Sequence, residues 1–331
     1  MYIFFAEKNS PNEREKVINL LSKCNRKKVK VQELVKFGKK HMTEKTQERI
    51  MNCGNWLEFK ADEEIKKIKL NRAIFCENRF CPMCAWRRAV KDALKIGVMM
   101  EYIEAEHGKA YIMVTLTAPN VGADELREEI TRYNKAFHDL LKRDEIKNMN
   151  QGHVRKLEIT HNRDRNDYHP HFHCIFAVNK SYFKSRAYIS QEKWLRLWRE
   201  AMRDESITQV DVRKVKNEIE NAKGEVIKGK AVNEVSKYAA KDADYLHSQE
   251  VFDAMYEGLK GKIIITYGGL FKDAHKKYKD NELDAYIASD ETVYKYYIMY
   301  LWGKEDQEYI EKSRKEITEA DILAENWRYG K

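Results

Sequence analysis

The stretch NDYHPHFHCIF, residues 166–176, places His169, His171 and His173 at alternate positions of a chain with only ten histidines. Alternation is strand spacing, so an extended backbone projects all three imidazoles from one face. Cys174 then turns the other way and Ile175 returns to the histidine face. A sheet fills its buried face with apolar groups, and stacked imidazoles there call for a reason, of which metal coordination is the usual one. The upstream run RKLEIT carries Glu158, a lone acid in an otherwise apolar strand. A buried carboxylate is costly unless paired or metal-bound. The intervening HNRDRN is polar enough for a hairpin loop, and pairing across it brings Glu158 beside His171 or His173. Two imidazoles and one carboxylate leave coordination positions open and suit Mg²⁺, Mn²⁺ or another first-row ion. A closed zinc site using all three histidines is the competing arrangement, and a strand of satisfied polar side chains is the structural one. His161, near the loop, and His153, near the start of its strand, are weaker donors.

The surrounding pattern sets the fold. AWRRAVKDALKIGVMMEYIEAE reads as a helix, with Trp86, Ala89, Ala93, Ile96 and Met100 at helical spacing. KAYIMVTLTAPN reads as a strand stopped by Pro119. GADELREEITRYNKAFHDLLKR is an amphipathic helix with Leu126, Ile130, Tyr133, Phe137 and Leu141 on one side. After the two strands above come helix (SQEKWLRLWREAM), strand (ITQVDVRKVK), helix (KAVNEVSKYAAKDADYL) and strand (GKIIITYGG). From about residue 109 the order is β-α-β-β-α-β-α-β. That predicts an α+β fold: a ferredoxin-like, RRM-like, mostly antiparallel sheet backed by helices.

Six cysteines in a chain without a signal-peptide pattern point to metal or redox chemistry rather than a disulfide framework. FCENRFCPMC supplies Cys76, Cys81 and Cys84, and Cys53 in MNCGNW completes four thiolates, with Gly54 placed as a knuckle glycine. The Cys81-x-x-Cys84 spacing is that of structural zinc sites. A redox pair would leave Cys53 and Cys76 unexplained, and Cys24 lacks partner spacing. Such a site orients the helix that begins near Trp86, whose Arg87, Arg88, Lys91 and Lys95 form a candidate phosphate-contact surface.

With 62 Lys and Arg against 53 Asp and Glu, the net charge is +9, compatible with a polyanion partner. KCNRKKVKVQELVKFGKKH and RFCPMCAWRRAVKDALK are both strongly positive. No long uninterrupted apolar run predicts a membrane span, and the expected location is the cytoplasm. No glycine-rich ATP-binding motif is present, so any helicase comes from the host.

Several ordered motifs, HPHFHCIF preceded by LEIT and YIMVTLTAPN, then AVNEVSKYAAK and GKIIITYGGLFKDAHK, with FCENRFCPMCAWRRA upstream, resemble the plasmid rolling-circle replication initiators. The similarity covers roughly residues 50–280 and is closest to the branch typical of small Gram-positive plasmids. It implies a nuclease core with a histidine–hydrophobic–histidine (HUH) motif, here His171-Phe172-His173. It implies that Glu158, His171 and His173 hold one divalent ion, with His169 matching the family's histidine before the proline. It further implies that Tyr238 is the nucleophile and Glu234 its companion acid. On a helix these two share a face at i,i+4, with Lys237 and Lys241 nearby. Tyr245, seven residues on from Tyr238, is the competing nucleophile on spacing alone.

The implied activity is nicking and rejoining of one origin strand through a 5′-phosphotyrosine, with Glu234 activating water at termination. The expected partners are plasmid origin DNA, single-stranded or hairpin at the nick site, and a host helicase and DNA polymerase; a homo-oligomer is compatible with this reading. The expected organisation is a basic, helical region 1–104 with the zinc module at about 50–100 and a DNA-binding role, a metal-dependent nuclease core 105–282, and a helical, aromatic-rich extension 283–331. A related HUH transposase or relaxase, or a non-catalytic zinc-containing DNA-binding regulator, are the alternatives.

Overall fold

The computed structural model of the chain describes residues 13–215, 232, 242–287 and 290–329. The fold is α+β with two antiparallel sheets, and the chain groups into two compact units. One holds the described residues up to Arg88 together with those beyond residue 289, and the other runs between them. No described helix is long and apolar enough to cross a membrane.

The first unit starts with α1 (Glu13–Gly38) and α2 (Glu44–Met51). Cys24, Lys28, Val31 and Leu34 are all buried on α1, an i, i+4, i+7 stripe that faces the core. Thr43 caps α2, its side chain accepting from the Thr46 amide. The strands β1 (Trp56–Ala61) and β2 (Ile68–Ala73) follow, and α3 (Pro82–His107) begins in this unit with proline at its first position.

The expectation of a helical C-terminal extension is corrected. Tyr296–Gly303 and Glu308–Glu316 are strands (β8 and β9 in chain order), and the helix is confined to α10 (Glu319–Tyr329). They join the N-terminal pair in the order β2-β1-β8-β9. The local reason is the run YYIMYLW, whose β-branched and aromatic residues fit a pleated surface. Leu57, Phe59 and Ala61 are buried on β1 and Ile298 and Tyr300 on β8. Each hairpin presents one apolar face, and pairing completes the core of a unit that neither end could build alone.

In the second unit, β3 (Lys109–Thr117), α4 (Leu126–Leu141), α5 (Asp144–Met149), β4 (Gly152–Asn162), β5 (Asp167–Asn179), α6 (Gln191–Met202) and β6 (Val210–Lys214) follow in order. After them come α7 (Asp242–Tyr245), α8 (Gln249–Leu259), β7 (Ile265–Gly269) and α9 (Leu270–Lys279). The sheet order is β6-β3-β5-β4-β7, wholly antiparallel. On one face Phe172 meets Tyr133 and Phe137 of α4 edge-on, and Phe176 meets Trp194 of α6. On the other, Tyr111, Met113, Val154, Ile175 and Ala177 pack with Ile96, Met99 and Ile103 of α3 and Phe271 and Ala274 of α9. Val232 joins this second cluster. On α4 the buried residue is Leu140 rather than the expected Leu141, because i+3 from Phe137 continues the apolar stripe.

Candidate metal centres

The hairpin of β4 and β5 sets the first centre. Asn162 closes its loop by accepting from the amides of Asp164 and Arg165, and Asn166 takes the left-handed conformation. This fixes the register: Glu158 lies opposite His171, and Lys156 opposite His173. All four point to the same face of the sheet, and the three donors Glu158, His171 and His173 come within 4.8 Å of one another. Glu158 Oε2 stands 3.1 Å from His173 Nε2 and 3.7 Å from His171 Nε2.

The outer partners orient the rings. His171 Nδ1 is 3.1 Å from the His169 carbonyl, which only accepts, so Nδ1 donates to it and Nε2 turns to the carboxylate. His173 Nδ1 lies 3.3 Å from Thr115 Oγ1, across β3, which leaves its Nε2 likewise inward. Burial works to raise the Glu158 carboxyl, but its hydrogen bonds to His171 and His173 outweigh it and hold the group well below the ordinary carboxylate range. The result is an anionic oxygen and two imidazole nitrogens converging, a donor set that can hold a divalent ion.

His169 stacks on His171 with ring centroids 5.0 Å apart, outside this three-donor cluster. Burial lowers its imidazole to about 4. The two weaker donors go elsewhere. His153 faces the opposite side of the sheet, between Phe137 and Phe176, and burial brings it down to about 4. His161 hydrogen-bonds Asn166 at the hairpin loop. Cys174 is turned away from the ligands, fully buried, and burial pushes its thiol up.

The second centre lies in the other unit. The sulfurs of Cys53, Cys76, Cys81 and Cys84 are all within 4.8 Å of one another. Cys84 is 3.5 Å from Cys53 and 3.6 Å from Cys76, and Cys81 is 3.5 Å from Cys53. Four sulfurs placed about 2.3 Å from a tetrahedral ion stand about 3.8 Å apart, so the cluster needs only slight expansion to hold one. Contacts among the sulfurs draw Cys76 and Cys84 down while Cys53 and Cys81 are pushed up.

The local backbone serves the same end. Asn78 accepts from the Phe80 amide, the Cys81 carbonyl accepts from Ala85 to start α3, and the Glu77 amide donates to Cys84 Sγ at 3.2 Å. Gly54 has φ +72°, and a Cβ there would meet Tyr309 Oη at 2.9 Å. That hydroxyl donates to the Gly54 carbonyl. Cys24 is buried apart from the four, its thiol pushed up by burial to about 12.

Sequence reasoning missed three supporting cations. Lys28 is buried and donates from Nζ to the Met51 and Cys53 carbonyls and Asn55 Oδ1. Arg155 is buried on the opposite face of the sheet, its guanidinium 4.2 Å from the centroid of the Phe172 ring. Lys156 is buried 3.9 Å from Asp92 Oδ2. Only Lys156 left a trace in the sequence, because two residues before Glu158 is the same strand face. The basic side expected on α3 is interrupted: Lys95 is drawn to Asp92 at 2.9 Å and lies over the Tyr267 ring. Tyr245 is 2% exposed, beside Phe252. Glu234, Lys237, Tyr238 and Lys241 lie outside the described residues.

Fold and donor sets together define an α+β protein with two candidate metal centres, one all-sulfur and one of mixed nitrogen and oxygen. A family model described as replication protein matches residues 67–310. Over 227 residues the chain is 46% identical to Protein rep of Staphylococcus aureus, covering 68% of this chain and 95% of that one. It is 36% identical over 257 residues to Protein rep of a Bacillus species, 73% of this chain and 83% of the relative. It is 33% identical over 277 residues to Protein rep of Streptococcus pneumoniae serotype 2, 81% and 84%. No solved structure matches. The chain belongs to the plasmid replication protein (Rep) family.

Proposed function

We propose that this plasmid replication protein starts and ends rolling-circle replication by nicking and rejoining one strand of origin DNA. The observation that carries the reading is the convergence of Glu158, His171 and His173 on one face of a central hairpin. The β3, β4, β5 and β6 strands, first to fourth in chain order, lie in the spatial order fourth, first, third, second. That arrangement supports a ferredoxin-like core of the HUH nuclease type.

Glu158, His171 and His173 would hold Mg²⁺ or Mn²⁺, which supplies charge withdrawal from a scissile phosphate. Tyr238 attacks phosphorus: a phosphorus–oxygen bond to tyrosine forms, the bond to the 3′ oxygen breaks, and the leaving strand keeps a free 3′-hydroxyl as primer. The 5′ end remains on the protein as a phosphotyrosine. Val232, two residues before Glu234 in sequence, packs in the apolar cluster on the ligand face of the sheet. The burial of Tyr245 favours Tyr238 over it. Glu234, a base that leaves no covalent link, activates water for the terminating cleavage. Cys53, Cys76, Cys81 and Cys84 would hold structural Zn²⁺. The partners in this reading are origin DNA, single-stranded or hairpin at the nick, and the host helicase and polymerase.

The test is mass-spectrometric mapping of the covalent adduct on single-stranded origin DNA. Tyr238→Phe keeps nearly all packing area and is expected to abolish the adduct, whereas Glu234→Ala forms it and accumulates overlong or protein-linked termination products. An adduct mapped to Tyr245 would overturn the assignment.

A further inference from the structure

Residues 23–30 of α1 carry five cations and no carboxylate. Lys28 is the one turned inward, and its three hydrogen bonds to Met51, Cys53 and Asn55 fix the rotation of the helix about its axis. With Cys24, Lys28 and Val31 against the core, the 3.6-residue repeat sends Lys23, Lys27 and Lys30 to one flank, at i, i+4 and i+7. Arg26 stands exposed beside them. The Lys23 ammonium lies 5.5 Å over the ring of Trp86, the fifth residue of α3. Next to Trp86 are Arg87, its guanidinium stacked 4.4 Å over Phe75, and Arg88, which donates to the Glu77 carbonyl.

We propose that this flank of α1, bordered by Arg87 and Arg88, is the surface that grips the backbone of duplex DNA. The inference rests on the replication reading for its partner and deepens it by naming the contact surface and the form of the DNA. Lys23 to Lys30 spans roughly 10 Å of helix axis, and successive phosphates of one duplex strand rise about 3.4 Å each. Three lysines on one flank therefore match a run of about three phosphates. The cysteine cluster has a part in this geometry, because Cys53 supplies both a sulfur to the cluster and a carbonyl to Lys28. Phosphate contacts of this kind fix position and carry no base preference.

The test uses the full chain with Lys23, Lys27 and Lys30 all changed to Gln, which keeps good helix propensity, and with Lys28 intact. Fluorescence anisotropy is measured over a range of salt with a labelled origin duplex, a scrambled duplex of equal length and a single-stranded origin oligonucleotide. The expected result is weaker binding to both duplexes by the same factor and a fall in the log K against log salt slope of about 3. Circular dichroism and metal content checked against the unmodified protein separate this from misfolding, and the reversal variant with Glu at the three positions should weaken binding further. An unchanged slope in a folded variant overturns the proposal, as does a change confined to single-stranded DNA. Cleavage of the single-stranded oligonucleotide is scored separately. If the unmodified protein never cleaves, the nicking reading fails while the slope still decides this surface.

Discussion

The two donor clusters differ in what each asks of the chain. In the first unit, four sulfurs from a loop before β1, the segment before α3 and the first turn of α3 surround one point, with every position taken by protein. In the second, three donors come from one hairpin and leave coordination positions open. A closed sulfur site suits structure and an open nitrogen–oxygen site suits chemistry. The supports follow the same division. The sulfur cluster is held by irregular backbone with few alternatives, including the Gly54 turn and the Lys28 amino group. The histidine cluster sits on paired strands whose geometry survives without any ligand, because β5 is bonded on both sides, by β3 and β4.

The largest effect that can break this contrast is loss of sulfur. The Cys81→Ser, Cys84→Ser double variant should lose tightly bound zinc and most of the folding of the first unit, since structural zinc contributes on the order of 10 kcal/mol. Elemental analysis with thermal unfolding checks it, and full metal content in the variant would end the zinc assignment.

Next comes the open centre. Glu158→Ala, His171→Ala and His173→Ala should each slow metal-dependent nicking on the order of a thousandfold, the equivalent of about 4 kcal/mol. The melting temperature should move by only a few degrees or less, and duplex binding should be retained. A ligand variant that nicks normally at low metal concentration, or that unfolds, would erase the difference between the two centres.

The smallest effect separates the two faces of β4 itself. His153 lies on the apolar face, and burial lowers it to about 4 from its ordinary value. The unfolded chain then binds more protons than the folded one between pH 6.5 and 4, so this contribution is present above that window. It is lost as the pH falls through it, by up to about 3 kcal/mol. Urea unfolding across this range should show a slope that His153→Phe flattens. An identical pH dependence in the variant would place the titration elsewhere.

The legibility of each centre follows sequence distance. Glu158 and His173 are 15 residues apart, joined by a polar loop, so alternation alone gives the face and pairing follows. The helices α4 and α6 were equally readable, because their apolar stripes are continuous. The spacing of four cysteines marks a metal-type cluster without reference to any contact. Lys28 was not legible: a lysine inside a basic run reads as solvated, and only the carbonyls at the end of α2 reveal why it is buried.

What the sequence determined by itself is therefore local: the strand period of the histidines, the acid on the neighbouring strand across one loop, the cysteine spacing and the excess of positive charge. Tertiary structure alone decided that the two ends of the chain share a sheet. Tyr309 donates to Gly54 from 255 positions away, and β8 pairs with β1 rather than forming a helix. The physical reason is that a short run of aromatic and β-branched residues has no strong preference until a partner strand supplies its hydrogen bonds and covers its apolar face. That partner lies at the far end of the chain, where no periodicity can point to it.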